Sequence, residues 1–72
     1  MLSTLQKRVL EYIEQYREKH GFAPNTREIG VANDIDNGSV QRVLLTLQAK
    51  GFIERTPYRS RETKVIRSAG AA

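Results

Sequence analysis

The chain has no cysteine and no tryptophan, and its 72 residues include one histidine and two prolines. Without cysteine there is no disulfide framework and no thiol chemistry. His20 alone cannot form a zinc site, which takes several histidine, cysteine or carboxylate ligands. We therefore expect no metal and no cofactor.

Long apolar runs are also missing. Charged residues such as Lys7, Arg8 and Glu11 interrupt the N-terminal apolar residues, so this stretch has no signal-peptide core. No run approaches the length of a membrane span. We expect a cytoplasmic protein with no membrane partner. A chain of this length forms one domain and buries about 60% of the surface that its unfolded form exposes, which leaves little room for a catalytic cleft.

The positive charge is concentrated in the second half of the chain. Residues 1–36 hold five basic and six acidic side chains, whereas residues 37–72 hold seven basic and only two acidic ones. The seven are Arg42, Lys50, Arg55, Arg59, Arg61, Lys64 and Arg67. This distribution suits contact with a phosphate backbone, although a basic surface can also serve solubility alone.

The first helix is predicted from Ser3 to Lys19. Ser3 and Gln6 match a capping box, and Gly21 supplies a C-terminal stop. The apolar stripe of this helix steps by four, four and three residues. Its members are Leu5, Val9, Ile13 and Tyr16.

A second helix of about eight or nine residues is predicted after Asn25. Asn25 and Glu28 match a second capping box, and Ile29 and Ala32 are expected to point inward. Gly30 lies inside this helix, where it costs up to about 1 kcal/mol relative to alanine. Close approach of another helix would explain a residue without a side chain at this position.

A turn and a third helix follow. Residues 33–36 form the predicted turn, in which Ile35 is the apolar plug and Asp36 caps the next helix. The third helix is predicted over 37–50, because apolar residues recur at positions i, i+3, i+4 and i+7. These residues are Val40, Val43, Leu44 and Leu47.

Two strands are predicted at 52–56 and 63–67, with a hairpin loop at 57–62 that begins at Pro57. Residues 68–72 are small and are expected to form a flexible tail after a domain at 1–67. The fold class predicted from this order is mainly α with a small β-hairpin, a three-helix winged helix-turn-helix. Such a fold lays one helix in the major groove of DNA.

The first turns of the third helix carry residue types that read base edges. Arg can donate two hydrogen bonds to guanine, and Gln or Asn can pair with adenine. The predicted base-contacting residues are Asn37, Gly38, Ser39, Gln41 and Arg42. An ordinary polar helix face is the alternative interpretation.

Two further segments suit contact with the DNA backbone. The first is the wing, residues 56–63, where two arginines lie beside a hydroxyl and an aromatic side chain. This combination suits contact with phosphates or with the minor groove, and a solvated loop is the alternative interpretation. The N-terminus of the second helix attracts phosphate, unless Asn25 itself satisfies the free N–H groups. The predicted backbone contacts are Thr26, Arg27, Tyr58, Arg59, Ser60, Arg61 and Lys64.

Leu45 is predicted on the outward face of the third helix. It could touch a thymine methyl group or a partner chain, but a single exposed leucine is also normal. A lone module of this kind buries only about 600–1,000 Å² on DNA, so useful specificity is expected to require a homodimer or two copies on adjacent half-sites.

The chain resembles the N-terminal DNA-binding domain of the LexA repressor family, a winged helix-turn-helix. The similarity covers residues 4–67 and rests on these segments: Thr4 to Ile13, Gly21-Phe22-Ala23-Pro24, Thr26-Arg27-Glu28-Ile29, Leu44 with Leu47, and Lys50-Gly51-Phe52-Ile53-Glu54-Arg55. The resemblance implies operator binding and transcriptional repression. It also implies base contacts from Asn37, Ser39, Gln41 and Arg42, and backbone contacts from Thr26, Arg27 and the wing.

Two departures from the family pattern are visible. Asp34 precedes Ile35 where the family turn commonly carries glycine, and residues 36–42 are closer to the general winged-helix pattern of other bacterial regulators, so the family's operator preference does not transfer. The C-terminal peptidase and dimerisation domain of the family is not in this sequence, which is therefore a fragment or a stand-alone regulator.

The expected function is sequence-specific binding of double-stranded DNA by a repressor. Two alternatives remain: a winged helix used as a protein-interaction module, and a mobile-element protein acting in replication, excision or restriction modulation. An enzyme is not expected, since no phosphate loop and no nucleophile with its base is present. No small-molecule ligand is evident.

Overall fold

The structure, a computed structural model, describes residues 2–56 and 58–71. Three helices precede a two-stranded antiparallel hairpin, which confirms the predicted winged helix-turn-helix. The elements are α1 Thr4–His20, α2 Thr26–Asn33, α3 Asn37–Ala49, β1 Ile53–Thr56, β2 Arg59–Val65 and a 3₁₀ helix Ala69–Ala71. Pro57, expected in the hairpin loop, lies outside the described residues, as do the termini Met1 and Ala72. Across 2–56 and 58–71, none of the helices combines the length and apolar character needed to cross a bilayer.

Side-chain caps determine where the three helices begin. Each N-terminus leaves backbone N–H groups without helical partners, and short polar side chains bond to them. The predicted caps are all present: Ser3 with Gln6 on α1, Asn25 with Glu28 on α2 and Asp36 on α3. Gly21 ends α1 in the left-handed conformation, with φ of 81°.

The core lies where α1 and α3 meet α2 and the hairpin. Its buried residues are Val9, Leu10, Ile13, Ile29, Val40, Val43, Leu44, Leu47, Phe52, Ile53 and Ala69. The predicted stripe of α3 is therefore confirmed. The stripe predicted for α1 omitted Leu10, which is fully buried because this face packs against several elements and is wider than one row of side chains.

The turn and α3 approach α2 closely at Gly30. A Cβ atom at this position would lie 2.9 Å from the Ile35 carbonyl oxygen and 3.3 Å from Val40 Cγ2. The expectation that Gly30 permits a close approach is confirmed, and the approaching groups belong to the turn and to α3.

Two expectations for α2 are wrong. Ala32 is exposed and does not point inward, while Asn33 is buried and belongs to the helix, not to the turn. The Asn33 side chain can be buried because its Nδ2 donates a hydrogen bond to the Ile29 carbonyl at 2.9 Å. Asp34 caps the end of the helix and takes the left-handed conformation, with φ of 55°.

The hairpin differs from its prediction in the second strand. β2 begins at Arg59, not at residue 63, and ends at Val65. Ile53 pairs with Val65 and Thr56 pairs with Arg59, with an irregularity between these pairs. The first part of β2 is almost entirely polar, so it lacks the apolar alternation from which a strand is predicted.

The C-terminal segment also differs from the expected flexible tail. Ala69 is 2% exposed and belongs to the core cluster, and its backbone N–H donates to Glu14 Oε1 at 2.6 Å. The 3₁₀ helix therefore packs against α1.

Candidate nucleic-acid interface

The first turns of α3 present a polar surface. Because Val40, Val43 and Leu44 face the core, the opposite side of the helix must face solvent. Three of the five predicted base-contacting residues are exposed, namely Asn37, Gly38 and Arg42. The other two, Ser39 and Gln41, are half-buried. The structure therefore brings all five together on one accessible end of α3.

Gly38 leaves the α3 surface open. The nearest atom to a Cβ at this position would be Asp36 Oδ1, at 3.9 Å. Asp36 Oδ1 also accepts a hydrogen bond from Ser39 N at 2.7 Å, which orders the start of the helix. Hydrogen bonds from the side chain and backbone of Ser39 hold the pKa of the Asp36 carboxyl below its usual value.

The beginning of α2 lies beside the beginning of α3. An open groove of about 360 Å³ lies between them, and its lining includes Thr26, Arg27 and Asn37. Arg27 is exposed and Thr26 half-buried. The N–H of Glu28 is already bonded to Asn25 Oδ1 at 2.8 Å, so the cap uses part of the donor set of this helix end.

The hairpin presents further exposed donors. Tyr58 is fully exposed with φ of 62°, and Arg59 is exposed with an ion pair to Glu62 at 3.2 Å. Lys64 is exposed and is paired with Glu54 in the strand register. Each of these side chains is exposed to solvent.

Sequence reasoning missed two residues of this surface. An open groove of about 380 Å³ between the end of α3 and the hairpin is lined by Gln48, Arg55, Thr56, Tyr58, Arg59 and Ser60. Gln48 and Arg55 add an amide and a guanidinium to the predicted wing residues. Alternation along β1 from the buried Ile53 is the signal that would have placed Arg55 on the same side of the strand.

Arg61 lies apart from the other wing side chains. Its guanidinium Nη1 donates to Glu28 Oε1 at 2.6 Å and to the Tyr16 hydroxyl at 3.0 Å. The pKa of Glu28 lies below its usual value, mainly because its carboxylate accepts a hydrogen bond from the Asn25 backbone. Hydrogen bonds from Tyr16 and Arg61 lower this pKa further. The structure thus turns Arg61 toward α1 and α2.

Leu45 lies on the outward face of α3, as predicted, with 60% of its surface exposed. It follows Gln41 by about one helical turn. Among the described residues, no three histidine or carboxylate side chains come together as metal ligands. The chemistry that this surface offers is hydrogen bonding and positive charge.

Comparison with known proteins identifies a match over most of the chain. A family model described as the LexA DNA binding domain matches residues 1–62. The LexA repressor of Nocardioides sp. is 43% identical over 66 residues, which cover 90% of this chain and 27% of that protein. The LexA repressor of Streptomyces coelicolor is 39% identical over 72 residues, or 99% of this chain and 31% of that protein. The LexA repressor of Thermotoga neapolitana is 37% identical over 67 residues, which cover 93% of this chain and 34% of that protein. The chain thus spans about a third or less of the length of these relatives.

Proposed function

The chain belongs to the LexA DNA-binding domain family, and on that premise we propose that it binds double-stranded DNA sequence-specifically and represses transcription. The observation that carries the proposal is the exposed polar start of α3, which shares a groove with the start of α2, while a second groove joins the end of α3 to the basic hairpin. A helix presented in this way fits the major groove, with its neighbours over the flanking phosphates.

The proposed base contacts come from the first turns of α3. Arg42 is suited to a guanine, and Gln41 and Asn37 to adenines, since these side chains can form two hydrogen bonds with those base edges. Gly38 allows the helix to approach the bases closely, and Ser39 can donate to or accept from either kind of base.

The proposed backbone contacts flank the helix. Thr26 and Arg27 would bind phosphate at the start of α2, where the helix dipole favours an anion. The wing would bind the backbone or the minor groove through Tyr58, Arg59, Ser60 and Lys64. Arg61, the other wing residue predicted to contact the backbone, is turned toward α1 and α2. The groove that contains Arg55 offers a further phosphate contact.

The proposal includes a regulator without catalytic activity, cofactor or small-molecule ligand, acting in the cytoplasm. A homodimer on DNA is part of it, because one module buries too little surface for high specificity. The exposed Leu45 could contribute to such an assembly or to a thymine methyl contact.

Selection of bound duplexes from a random pool tests the proposal. The unmodified protein and the Gln41→Ala/Arg42→Ala variant are compared near physiological salt, with Arg8→Ala/Gln15→Ala as a control that removes the same side chains from the exposed face of α1. We expect the unmodified protein and the control to enrich the same motif. The α3 variant is expected to lose or change it, with about 1–3 kcal/mol lost for each base contact removed.

A different result would favour another function. No enriched motif, together with binding that disappears as salt rises, would mean that basic side chains only hold phosphates. A protein-interaction module would then be the better assignment. Enrichment of an origin or attachment sequence would instead favour a mobile-element protein acting in replication, excision or restriction modulation.

A further inference from the structure

Arg61 is held by groups from three different parts of the fold. Nη1 donates to Glu28 Oε1 on α2 at 2.6 Å, to the Tyr16 hydroxyl on α1 at 3.0 Å, and to the Ala23 carbonyl at 3.3 Å. The guanidinium carbon lies 5.0 Å from the centre of the Phe22 ring, a distance at which a cation is attracted to the ring. This side chain therefore joins β2 to α1, to α2 and to the segment that connects them.

The backbone reinforces the same connection. The Ala23 N–H donates to the Arg61 carbonyl at 3.1 Å, so Ala23 and Arg61 are joined in both directions. Two residues along β2, the Thr63 carbonyl accepts a hydrogen bond from the Arg17 guanidinium. The hairpin is thus fixed to α1 along one edge of β2.

Glu28 also forms the capping box at the start of α2. Its Oε1 accepts from the Asn25 backbone N–H at 2.8 Å and completes the capping box, while its Oε2 accepts from the Tyr16 hydroxyl at 2.9 Å. A single carboxylate therefore fixes the start of α2 and holds the arginine of the hairpin. Its neighbours Thr26 and Arg27 are the proposed phosphate contacts of α2.

Arg59, on the same strand, has a different environment. Its guanidinium makes an ion pair with Glu62 at 3.2 Å, three residues away, and its side chain is 71% exposed. The Arg61 side chain is 44% exposed and its ion pair joins separate elements. If Arg61 left Glu28 for a DNA phosphate, an unpaired carboxylate would remain beside the DNA, which opposes the exchange.

We propose that Arg61 is a positioning residue, not a phosphate ligand: through Glu28 and Tyr16 it fixes the hairpin relative to α2. The two proposed backbone-contacting regions then keep a constant spacing before DNA arrives. This inference rests on the proposed function for its effect on DNA, but the fixing of the hairpin is a property of the free protein.

The first experiment measures the free protein. Amide hydrogen exchange is compared in the unmodified chain, Arg61→Ala, Glu28→Gln and the control Arg59→Ala. Glu28→Gln removes the charge while keeping an N3 residue that capping boxes accept. We expect faster exchange in the hairpin of Arg61→Ala and Glu28→Gln, unchanged exchange in α3, and no effect of Arg59→Ala. Unchanged hairpin exchange in the first two variants would overturn the inference whether or not the protein binds DNA.

The second experiment measures DNA affinity as a function of salt with a duplex that the unmodified protein binds. Arg61→Ala is expected to weaken binding by about three- to tenfold at every salt concentration, because the binding-competent hairpin orientation is populated less. The slope of log K against log salt should stay unchanged. Arg59→Ala, which removes the same charge from the same strand, should reduce that slope by about 0.9.

Glu28→Gln gives the sharpest distinction. A positioning role predicts weaker binding, no additional loss when Arg61→Ala is combined with it, and an unchanged salt slope. A phosphate-binding Arg61 predicts the opposite, since loss of the carboxylate would free the guanidinium and tighten binding. Tighter binding by Glu28→Gln, or a slope reduced by about 0.9 in Arg61→Ala, would overturn the inference.

Discussion

At the scale of single residues, Gly30 is required by its surroundings more than by its helix. Alanine forms helices better than glycine by about 1 kcal/mol. A methyl group on Gly30 would nevertheless meet the Ile35 carbonyl oxygen at 2.9 Å, a distance that backbone atoms cannot easily relieve. Tertiary packing therefore outweighs helix propensity at this position.

We expect Gly30→Ala to destabilise the protein by about 1–3 kcal/mol, the usual cost of overpacking a core. Urea denaturation followed by circular dichroism measures the change. Gly38→Ala is the matched control, because the nearest atom to its Cβ would be 3.9 Å away. A Gly30→Ala protein as stable as the control would show that the turn moves aside without cost.

Two capping carboxylates make stability depend on pH. Hydrogen bonds from Ser39 lower the pKa of Asp36 from 3.8, and the hydrogen bond from Asn25 is the main cause that lowers the pKa of Glu28 from 4.5. Since both pKa values are lower in the folded state, the stabilisation is present above the ordinary values and is lost as pH falls through the lowered ones.

The expected outcome is a melting temperature that decreases as pH falls below about 4.5. Thermal denaturation from pH 6 to pH 2.5 measures it. Asp36→Asn and Glu28→Gln keep residue types that cap helices but remove the titrating groups, so their combination should flatten the profile. A variant profile that is as steep as that of the unmodified protein would assign the acid sensitivity to other groups.

At the scale of elements, the 3₁₀ helix after β2 belongs to the domain through Ala69. The residue is almost completely buried and its N–H is bonded to Glu14, so the boundary expected at residue 67 cuts through a packed contact. The small residues of this segment allow it to lie close to α1.

Ala69→Asp is expected to destabilise the protein by about 1–3 kcal/mol, because the substitution places a polar group in a buried position without a partner. Chemical denaturation measures the effect. Gly70→Ala is the control, since Gly70 is exposed and the atom nearest to its new Cβ would be Ser68 Oγ, at 3.8 Å. Equal stability of the two variants would indicate that the segment leaves α1 easily and behaves as the flexible tail expected from sequence.

At the scale of the whole molecule, charge and shape agree with the proposed interface. The second half of the chain carries seven basic and two acidic side chains, and it contains α3 and the hairpin. The first half, with nearly balanced charge, forms most of the support behind them. A molecule with extents of 25 × 24 × 22 Å can cover only a short DNA segment, which favours two copies on a full site.

We therefore predict a stoichiometry of two chains on a duplex that contains two half-sites, with each half-site bound by one chain. Sedimentation of the protein with full-site and half-site duplexes measures it. Half-sites about 10 base pairs apart should be bound best, because both copies then lie on the same side of the DNA. A single chain bound to the full site with high affinity would contradict the predicted dimeric arrangement.

The sequence by itself determined the helix starts, the stripe of α3 and the order of the elements. These features depend on residues three or four positions apart, as in the pairs Ser3 with Gln6 and Asn25 with Glu28, so local spacing is sufficient to find them. The candidate residues of α3 followed in the same way, because the core stripe fixes the opposite face of the helix.

Only the tertiary structure decided where the hairpin and the last residues lie. The Arg61–Glu28 contact joins positions 33 apart and the Ala69–Glu14 contact joins positions 55 apart. The inward turn of Arg61, the early start of β2 and the burial of Ala69 all depend on such distant partners. No local pattern encodes them, since the free energy that selects them comes from packing and hydrogen bonds between elements that meet only in the folded chain.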